Sequence, residues 1–366
     1  MSNILSPLQS LKAGQWFKLI CGASFQDLPA IRSLAFVYTL AGADCIDVAA
    51  DPAVITAAQD GINMASQWGK IAQNKGFPGI NKPWLMVSLN DGEDPHFRKA
   101  YFNPESCPPD CPRPCESICP AQAITQEGVI DRRCYGCGRC LPICPLKLID
   151  TRSHIITPTA IASLIETMGI DAIEIHTKVG REREFSQLWQ QLFPWVSQLK
   201  LIAISCPDGE GLINYLQTLY ELISPLPCPL IWQTDGRPMS GDIGQGTTHA
   251  TIKLGQKVLK ANLPGYVQVA GGTNHYTAPK LKELGLLNDG ITTSQSVAGI
   301  AYGSYGRCLL SPLLETLERQ AMSLNTSNWL ENSPELLWQA VETAYSLVSQ
   351  LKEGNTSTRA SVNRFL

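Results

Sequence analysis

Short apolar runs alternate along this chain with longer stretches in which apolar residues recur every three or four positions. Runs of the first kind are typical of buried β-strands, and the longer period is typical of amphipathic helices. Strands are predicted at 18–24, 44–51, 84–89, 172–176, 201–205, 229–233, 266–270 and 300–302. Helices are predicted at 28–42, 52–73, 158–168, 182–199, 210–223, 247–262, 278–284 and 312–322.

Eight strand–helix units in strict alternation indicate parallel strands, because each crossover between parallel neighbours needs a helix. Eight such units close naturally into a (β/α)8 TIM-like barrel, which is therefore the predicted α/β fold. A doubly wound open sheet is the alternative. The predicted barrel is discontinuous, comprising residues 1–100 and 151–322, with an insert at 101–150 after the third strand. A C-terminal helical extension is predicted over 323–354 and a mobile tail over 355–366.

The insert is defined by its cysteines. Eight of the thirteen cysteines in the chain lie there: Cys107, Cys111, Cys115, Cys119, Cys134, Cys137, Cys140 and Cys144. The second four follow the spacing C-x2-C-x2-C-x3-C-P, which ligates iron–sulfur clusters in bacterial ferredoxins. Zinc sites usually come as separated C-x2-C pairs, and disulfide frameworks belong to small secreted domains. The pattern therefore predicts a ferredoxin-like, two-cluster 4Fe-4S module.

The two halves of the insert form an internal repeat. Cys119 and Cys144 are 25 residues apart, as are Ile124 and Ile149. Toward the N-terminus the repeat drifts, because the first motif is C-x3-C-x3-C-x3-C-P. The first cluster could accordingly be a 4Fe-4S cubane on a stretched loop, a 3Fe-4S cluster or a labile site.

Ligation is predicted to cross between the halves, as in ferredoxins, where the fourth cysteine of a run reaches the other cluster. One predicted set consists of Cys134, Cys137 and Cys140 with Cys119. The other consists of Cys107, Cys111 and Cys115 with Cys144.

Composition narrows the class of protein. The formal net charge is −3, with 17% charged and 44% hydrophobic residues, which is not the profile of a basic nucleic-acid binder. No apolar run reaches the ~18 residues of a membrane span, and the first residues lack a secretion signal. Thiolate-bound clusters require a reducing compartment, so we expect a cytoplasmic protein.

Two glycine-rich segments follow the last two predicted strands. Loops at these places in a barrel often bind phosphate through backbone N–H groups. We therefore predict a phosphate or flavin site, FMN being one candidate, at Gly271, Gly272, Thr273, Gly303, Ser304, Gly306 and Arg307. Polar residues also end several strands, namely Asp51, Asn90, His176, Lys178, Ser205, Gln233 and Asp235. The sequence contains no strong nucleophile–base signature, so no catalytic residue is predicted.

Three further segments, taken with the order of the cysteine motifs, resemble one family over nearly the whole chain. They are residues 41–52 (AGADCIDVAADP), 269–274 (VAGGTN) and 301–307 (AYGSYGR). The chain resembles the cyanobacterial light-dependent period protein family, LdpA. This resemblance implies an iron–sulfur protein on the input side of the circadian clock, with the eight cysteines above as its cluster ligands. It also implies clock input and oscillator partners, such as a CikA-like kinase and KaiA.

Two functions follow as hypotheses. The first is a redox sensor, without enzymatic activity, that reads a carrier such as a quinone or ferredoxin and adjusts the clock period. The second is a ferredoxin-coupled oxidoreductase with a flavin or a phosphate-bearing ligand at the barrel mouth.

Overall fold

Eight parallel strands close on one another in the computed structural model, which describes residues 5–22, 27–78, 81–92, 98–131, 133–153, 158–238, 243–288, 296–324 and 329–352. The barrel strands are β1 (Trp16–Ile20), β2 (Cys45–Ala49), β3 (Trp84–Asn90), β8 (Ala172–His176), β9 (Leu201–Pro207), β10 (Leu230–Asp235), β11 (Tyr266–Ala270) and β12 (Gly299–Tyr302). Between β3 and β8 lie four short strands, β4 (Arg98–Tyr101), β5 (Ile124–Thr125), β6 (Gly128–Val129) and β7 (Asp150–Ser153).

The helices are α1 (Pro7–Lys12), α2 (Leu28–Ala41), α3 (Pro52–Asn74), α4 (Pro114–Ile118), α5 (Cys140–Ile143), α6 (Pro158–Met168), α7 (Glu182–Leu192), α8 (Leu212–Ile223), α9 (Thr248–Lys260), α10 (Thr277–Glu283), α11 (Ser304–Leu324) and α12 (Pro334–Lys352). Short 3-10 turns occupy Pro104–Ser106, Phe193–Gln198, Gln245–Thr247 and Leu330–Asn332.

The strand order around the barrel is β1-β12-β11-β10-β9-β8-β3-β2, and every neighbouring pair is parallel. The pairing of β1 with both β2 and β12 closes the sheet, which confirms the predicted barrel and excludes the open sheet. A helix follows each barrel strand, as the alternation predicts, and for β3 that helix comes only after the insert.

Local signals explain where the helices begin and end. Asp51 caps α3, since its Oδ1 accepts a hydrogen bond from the N–H of Ala53 at 3.0 Å, and Pro52 fits the first turn, where its missing N–H costs nothing. Gly42 ends α2 at φ 94°, a conformation that glycine adopts without strain.

The main core lies between the strands and the surrounding helices. Phe17 of β1 stacks between Tyr38 of α2 and Tyr302 of β12, with ring centroids 5.8 and 5.1 Å away. A second apolar cluster fills the N-terminal end of the barrel interior, where Leu11 of α1 covers Trp16 and Met86. The barrel is therefore sealed at that end.

Some predicted bounds were wrong. The first strand runs from Trp16 to Ile20 instead of over 18–24. The last barrel helix begins at Ser304, not at 312, and Pro312 lies inside it. Proline is common in the first turn of a helix, but here buried Leu310 and Leu317 lie on either side of Pro312 on one helix face. Their packing outweighs the single backbone hydrogen bond that proline removes. The helix predicted at 182–199 ends at Leu192 and continues as a 3-10 turn through Gln198.

The C-terminal extension packs on the barrel, with α12 lying against α2. Glu331, just before it, forms a partly buried ion pair with Arg32 of α2 at 2.6 Å. At its other end the Lys352 ammonium lies 2.5 Å from the Asp44 carboxylate and 3.0 Å from the Ser10 hydroxyl. The predicted tail at 355–366 lies outside the described residues.

Candidate metal centre

The insert is a small unit with its own core. β4 pairs antiparallel with β7, and β5 with β6, while α4 packs against α5. The outer strands extend slightly beyond the predicted 101–150, to Arg98 and Ser153. Its buried core consists of Ala100, Phe102, Cys115, Ile124, Cys140 and Ile149, and most of the other cysteines pack around it. Because so few apolar side chains are buried here, the thiols themselves make up much of the interior.

Four cysteines line one pocket that opens to solvent: Cys119, Cys134, Cys137 and Cys140. Alanine and isoleucine side chains, including Ala100 and Ile124, complete its walls. These four cysteines are the first of the two sets predicted from crossed ligation. A pocket that brings four thiols together between apolar walls fits an iron–sulfur cluster, whose iron atoms take thiolate ligands.

The remaining four cysteines also lie near one another. The Cys107 thiol lies near that of Cys111, and the thiol of Cys144 acts electrostatically on both Cys107 and Cys115. Cys144 follows α5 in sequence, yet it joins the cysteines before and within α4. The structure thus places cysteines of each predicted set near one another, but within the described residues no group of three or more His, Cys, Asp or Glu side chains is close enough to hold a metal ion. The assignment of the cysteines as ligands stays a prediction.

The sequence repeat is also a repeat of hydrogen bonds. The N–H of Ala123 donates to Cys119 Sγ at 3.2 Å, and the N–H of Leu148 donates to Cys144 Sγ at 3.4 Å. Each donor lies four residues after its cysteine. Hydrogen bonds to sulfur are among the factors that set the reduction potential of an iron–sulfur cluster, so a cluster held by either half would have the same contact.

Backbone conformation shows where the repeat ends. Gln122 and Lys147, which are equivalent in the two halves, both have left-handed φ values of 48° and 53°. Arg113 at φ 50° matches Gly138 at φ 75°. Before Arg113 the equivalence stops, at the place where the first motif gains its extra residues. The longer loop of the first motif is thus confined to residues 107–112.

Local environment sets the protonation of the thiols. Burial, reinforced by the nearby thiols of Cys134 and Cys137, raises the pKa of Cys140 to about 12. For Cys144, burial is outweighed by backbone N–H groups from Leu146 to Ile149, which lower the pKa. Iron ligation requires thiolates, so the metal must replace a proton at Cys140 that this environment otherwise holds.

The first cysteine set faces the barrel. Tyr135 is buried in the barrel core, and its hydroxyl lies against the Cys137 thiol. The ammonium of Lys99 lies 3.3 Å from the Asp51 carboxylate, at the start of α3, and donates to the Asp131 carbonyl oxygen at 2.8 Å. The insert is therefore attached to the C-terminal face of the barrel, as expected for a loop that follows a strand.

The predicted phosphate or flavin residues occupy two places on that face. Gly271 and Gly272 have φ values of 70° and 84° in the loop after β11, where the Asp235 carboxyl oxygen fills the space that a Cβ on Gly271 would need. The other residues, Gly303, Ser304, Gly306 and Arg307, lie at and within the first turn of α11 rather than in a loop.

Hydrogen bonds within the protein join these two places. The Thr273 hydroxyl donates to the Ala301 carbonyl oxygen at 2.7 Å. The Arg307 guanidinium donates to the Ile20 carbonyl oxygen at 2.9 Å and the Ser304 hydroxyl at 3.2 Å. The phosphate or flavin site stays a prediction.

Sequence reasoning missed a buried polar cluster inside the barrel. Lys18 of β1 is fully buried and forms ion pairs with Glu174 of β8 and with Asp47 of β2, the latter at 3.1 Å. Gln233 Nε2 donates to Glu174 Oε1 at 2.6 Å and to Ser205 Oγ at 3.0 Å.

More of the polar cluster comes from other strands. Gln268 Nε2 donates to Gln233 Oε1, and the Trp16 indole donates to Gln268 Oε1 at 2.6 Å. The Ser88 hydroxyl donates to Asp47 Oδ1 at 2.7 Å. The signal that could have revealed this cluster was a single charged residue in the middle of a short apolar strand, such as Lys18 in β1.

The strand-end residues do not act as one group. His176 Nε2 lies 3.2 Å from Glu174 Oε1. Asp235 lies on β10, two residues after the Gln233 that pairs with Ser205 of β9. Both residues therefore belong to the mouth of the polar cluster. Asp51 instead contacts the insert, and Lys178 is exposed.

Two family models match parts of the chain. Residues 107–155 match the LdpA Fe-S cluster-binding domain, and residues 164–350 match the Light dependent period A C-terminal domain. Light dependent period A from Synechococcus elongatus is 53% identical over 360 residues, which cover 98% of this chain and 97% of that protein. The chain is a member of the light dependent period A family. In this member, the iron–sulfur domain of the family contains all eight motif cysteines.

Solved structures with similar shape are more remote from this family member. A tryptophan synthase from M. tuberculosis is 11% identical with a TM-score of 0.42, covering 96% of this chain and 100% of that one. KDPG aldolase from Legionella pneumophila is 12% identical with a TM-score of 0.37, covering 94% and 98%. Such weak similarity carries no functional argument. Within the described part of the chain, no helix has the length and apolarity needed to cross a membrane.

Proposed function

We propose that this family member is an iron–sulfur redox sensor that passes the light-dependent redox state of the cell to the circadian clock and modulates its period. The family name and the iron–sulfur domain support this proposal. The proposed partners are clock input and oscillator proteins, a CikA-like kinase and KaiA among them. A quinone or ferredoxin is the proposed redox carrier.

The observation that carries the proposal is the arrangement of eight cysteines in two sets of four, one of which lines a pocket against the barrel. When bound there, 4Fe-4S clusters supply one-electron chemistry, at potentials that span about −700 to +450 mV in proteins. The thiolates would hold the clusters, and the amides of Ala123 and Leu148 would tune them. A 3Fe-4S cluster at the longer first motif remains part of the proposal.

Lys99 links the first cysteine set electrostatically to the barrel. Its ammonium acts electrostatically on the Cys134 thiol and also forms the ion pair with Asp51. Since Asp51 caps α3, a change of negative charge on the thiol set alters a contact that fixes the first turn of a barrel helix. A partner bound to this face would thereby sense the redox state.

Substitution of one ligand tests the proposal. Cys137→Ser should reduce bound iron and blunt the change of clock period with light intensity, while the circular dichroism of the barrel is retained. Cys308→Ser is the matched control, because Cys308 is an exposed cysteine outside the insert. A normal light response in a Cys137→Ser protein that has lost iron would refute redox sensing and leave the clusters with a structural role.

A second function is supported by the position of the insert at the barrel mouth, where barrel enzymes build their active sites. As a ferredoxin-coupled oxidoreductase, the protein would hold a flavin or phosphate-bearing ligand near Gly271 and Arg307. Acid treatment of native protein should then release flavin, and Arg307→Ala should lower the amount bound. Native protein that contains iron but no flavin would refute the flavin form of this function.

A further inference from the structure

The inside of the barrel changes character from one end to the other. Toward its N-terminal end the inward side chains are apolar and include Trp16, Cys45, Met86, Ala172 and Ile231. Two residues further along the strands, the inward positions are polar in nearly every strand, since side chains alternate between faces. These positions are Lys18, Asp47, Ser88, Glu174, Ser205, Gln233 and Gln268. Their hydrogen bonds and ion pairs run between strands across the interior, which shows that they share one layer.

This layer is not explained by stability. Lys18 and Glu174 are 0% exposed and Asp47 is 1% exposed. The interiors of such barrels are usually filled by Val, Ile and Leu. Removing each charge from water costs several kcal/mol, and apolar replacements of buried ion pairs are often neutral or stabilising. A role that needs charge at the barrel mouth accounts for the layer better than packing does.

The charges in the layer do not balance. One ammonium, on Lys18, faces two carboxylates, on Asp47 and Glu174. Burial alone would lower the pKa of Lys18, but those two carboxylates raise it, so its positive charge is secure. When ionised, these three side chains therefore carry a formal net charge of −1.

Asp235 adds to this surplus at the next inward position of β10. Its Oδ1 is buried and, among the residues that the structure describes, has no hydrogen-bond partner. A buried oxygen that is left without a donor destabilises the fold, and such atoms in native proteins call for an explanation. A bound molecule that donates to this oxygen supplies one.

We propose that the barrel mouth above this layer binds a small organic cation, whose ammonium N–H group donates to Asp235 while Asp47 and Glu174 supply the attracting field. A metal ion would take several oxygen ligands. Two carboxyl oxygens here lack a hydrogen-bond partner among the described residues, and one of them, Asp47 Oδ2, lies 3.1 Å from the Lys18 ammonium. That leaves Asp235 Oδ1, which suits a single N–H donor. The ligand has the opposite charge to the phosphate considered above. The proposal does not depend on the cysteine sets or on redox sensing.

Putrescine serves as the probe, with uncharged 1,4-butanediol and anionic succinate as controls of the same chain length. The full chain is titrated by isothermal calorimetry and by thermal unfolding at constant ionic strength. We expect saturable binding and a rise in the unfolding midpoint with putrescine alone. Affinity should fall as the pH is lowered through about 6, because burial and the charge of Glu174 raise the pKa of Asp235 to about 6.

Two variants assign the site. Asp235→Asn should weaken putrescine binding at least tenfold, a loss of about 1.4 kcal/mol, while keeping the side-chain shape. Glu221→Gln should bind like the unaltered chain, because Glu221 is an exposed carboxylate on α8. Equal binding by both variants would overturn the proposal. So would stabilisation by succinate or Mg²⁺ in place of putrescine, or no saturable response to putrescine.

Discussion

Asp235 makes the sharpest prediction because its carboxyl group is buried at the barrel mouth. An ordinary aspartate has a pKa of 3.8, whereas burial, followed by the negative charge of Glu174, raises that of Asp235 to about 6. The Lys18 ammonium and the backbone N–H of Arg237 offset part of this rise. The folded protein therefore keeps a proton on Asp235 that the unfolded chain releases between about pH 4 and pH 6.

The sign of the effect follows from that difference. A state that binds more protons gains stability as the pH falls, so the folded state is favoured below about pH 4 and loses this advantage as the pH rises through 6. At 1.36 kcal/mol per pKa unit, the rise from 3.8 to about 6 corresponds to about 3 kcal/mol above pH 7. Asparagine cannot ionise, so Asp235→Asn should be more stable than the unaltered chain by up to about this amount at pH 8 and by little at pH 4.

Thermal unfolding followed by tryptophan fluorescence between pH 4 and pH 8 measures the difference, and Trp232 lies in the same strand. Groups other than Asp235 titrate in both proteins, so their contributions cancel when the midpoints are subtracted. Glu221→Gln, an exposed carboxylate, should leave the midpoint nearly unchanged across this range. A stability difference between Asp235→Asn and the unaltered chain that does not vary with pH would refute the reasoning, as would an asparagine variant that is less stable at pH 8.

Two other perturbations test the paired cysteine sets and the buried charges. If ligation is crossed, Cys119→Ser and Cys134→Ser disrupt the same cluster, so each single variant and the double variant should retain roughly half of the iron. The double variant Cys119→Ser with Cys144→Ser should retain little. Iron analysis of these variants is the measurement, and a Cys119–Cys134 double variant without iron would contradict crossed ligation. Lys18→Met leaves Asp47 and Glu174 buried without their cation and should lower the free energy of unfolding by about 3–5 kcal/mol. Adding Glu174→Gln should restore part of that loss. If the two substitutions had strictly additive effects on denaturant unfolding, the result would count against the pairing.

The sequence was informative where a regular spacing carries the signal. Alternation of strands and helices predicted the closed barrel, because that pattern reflects a fixed geometry. Cysteine spacing likewise predicted an iron–sulfur domain, whereas the two four-cysteine ligand sets stay a prediction. The start of α11 was missed because Pro312 is a common start signal, although here leucine packing keeps it inside the helix. Lys18 and Glu174 were missed because each stands alone within an apolar strand, and only the closure of the barrel brings them together.

The contacts between insert and barrel differ in what they can transmit. Arg139 forms an ion pair with Asp27 at 2.5 Å, but its side chain is 43% exposed, and exposed pairs of this kind contribute about 0–1 kcal/mol. Lys99 and Asp51, in contrast, are nearly buried, and Lys99 also acts on the Cys134 thiol. A charge change in the first cysteine set is weakly screened along this second path, because little water separates the groups. In the proposed redox sensor, the Lys99–Asp51 pair, supported by buried Tyr135, would therefore carry the effect of the insert to the barrel.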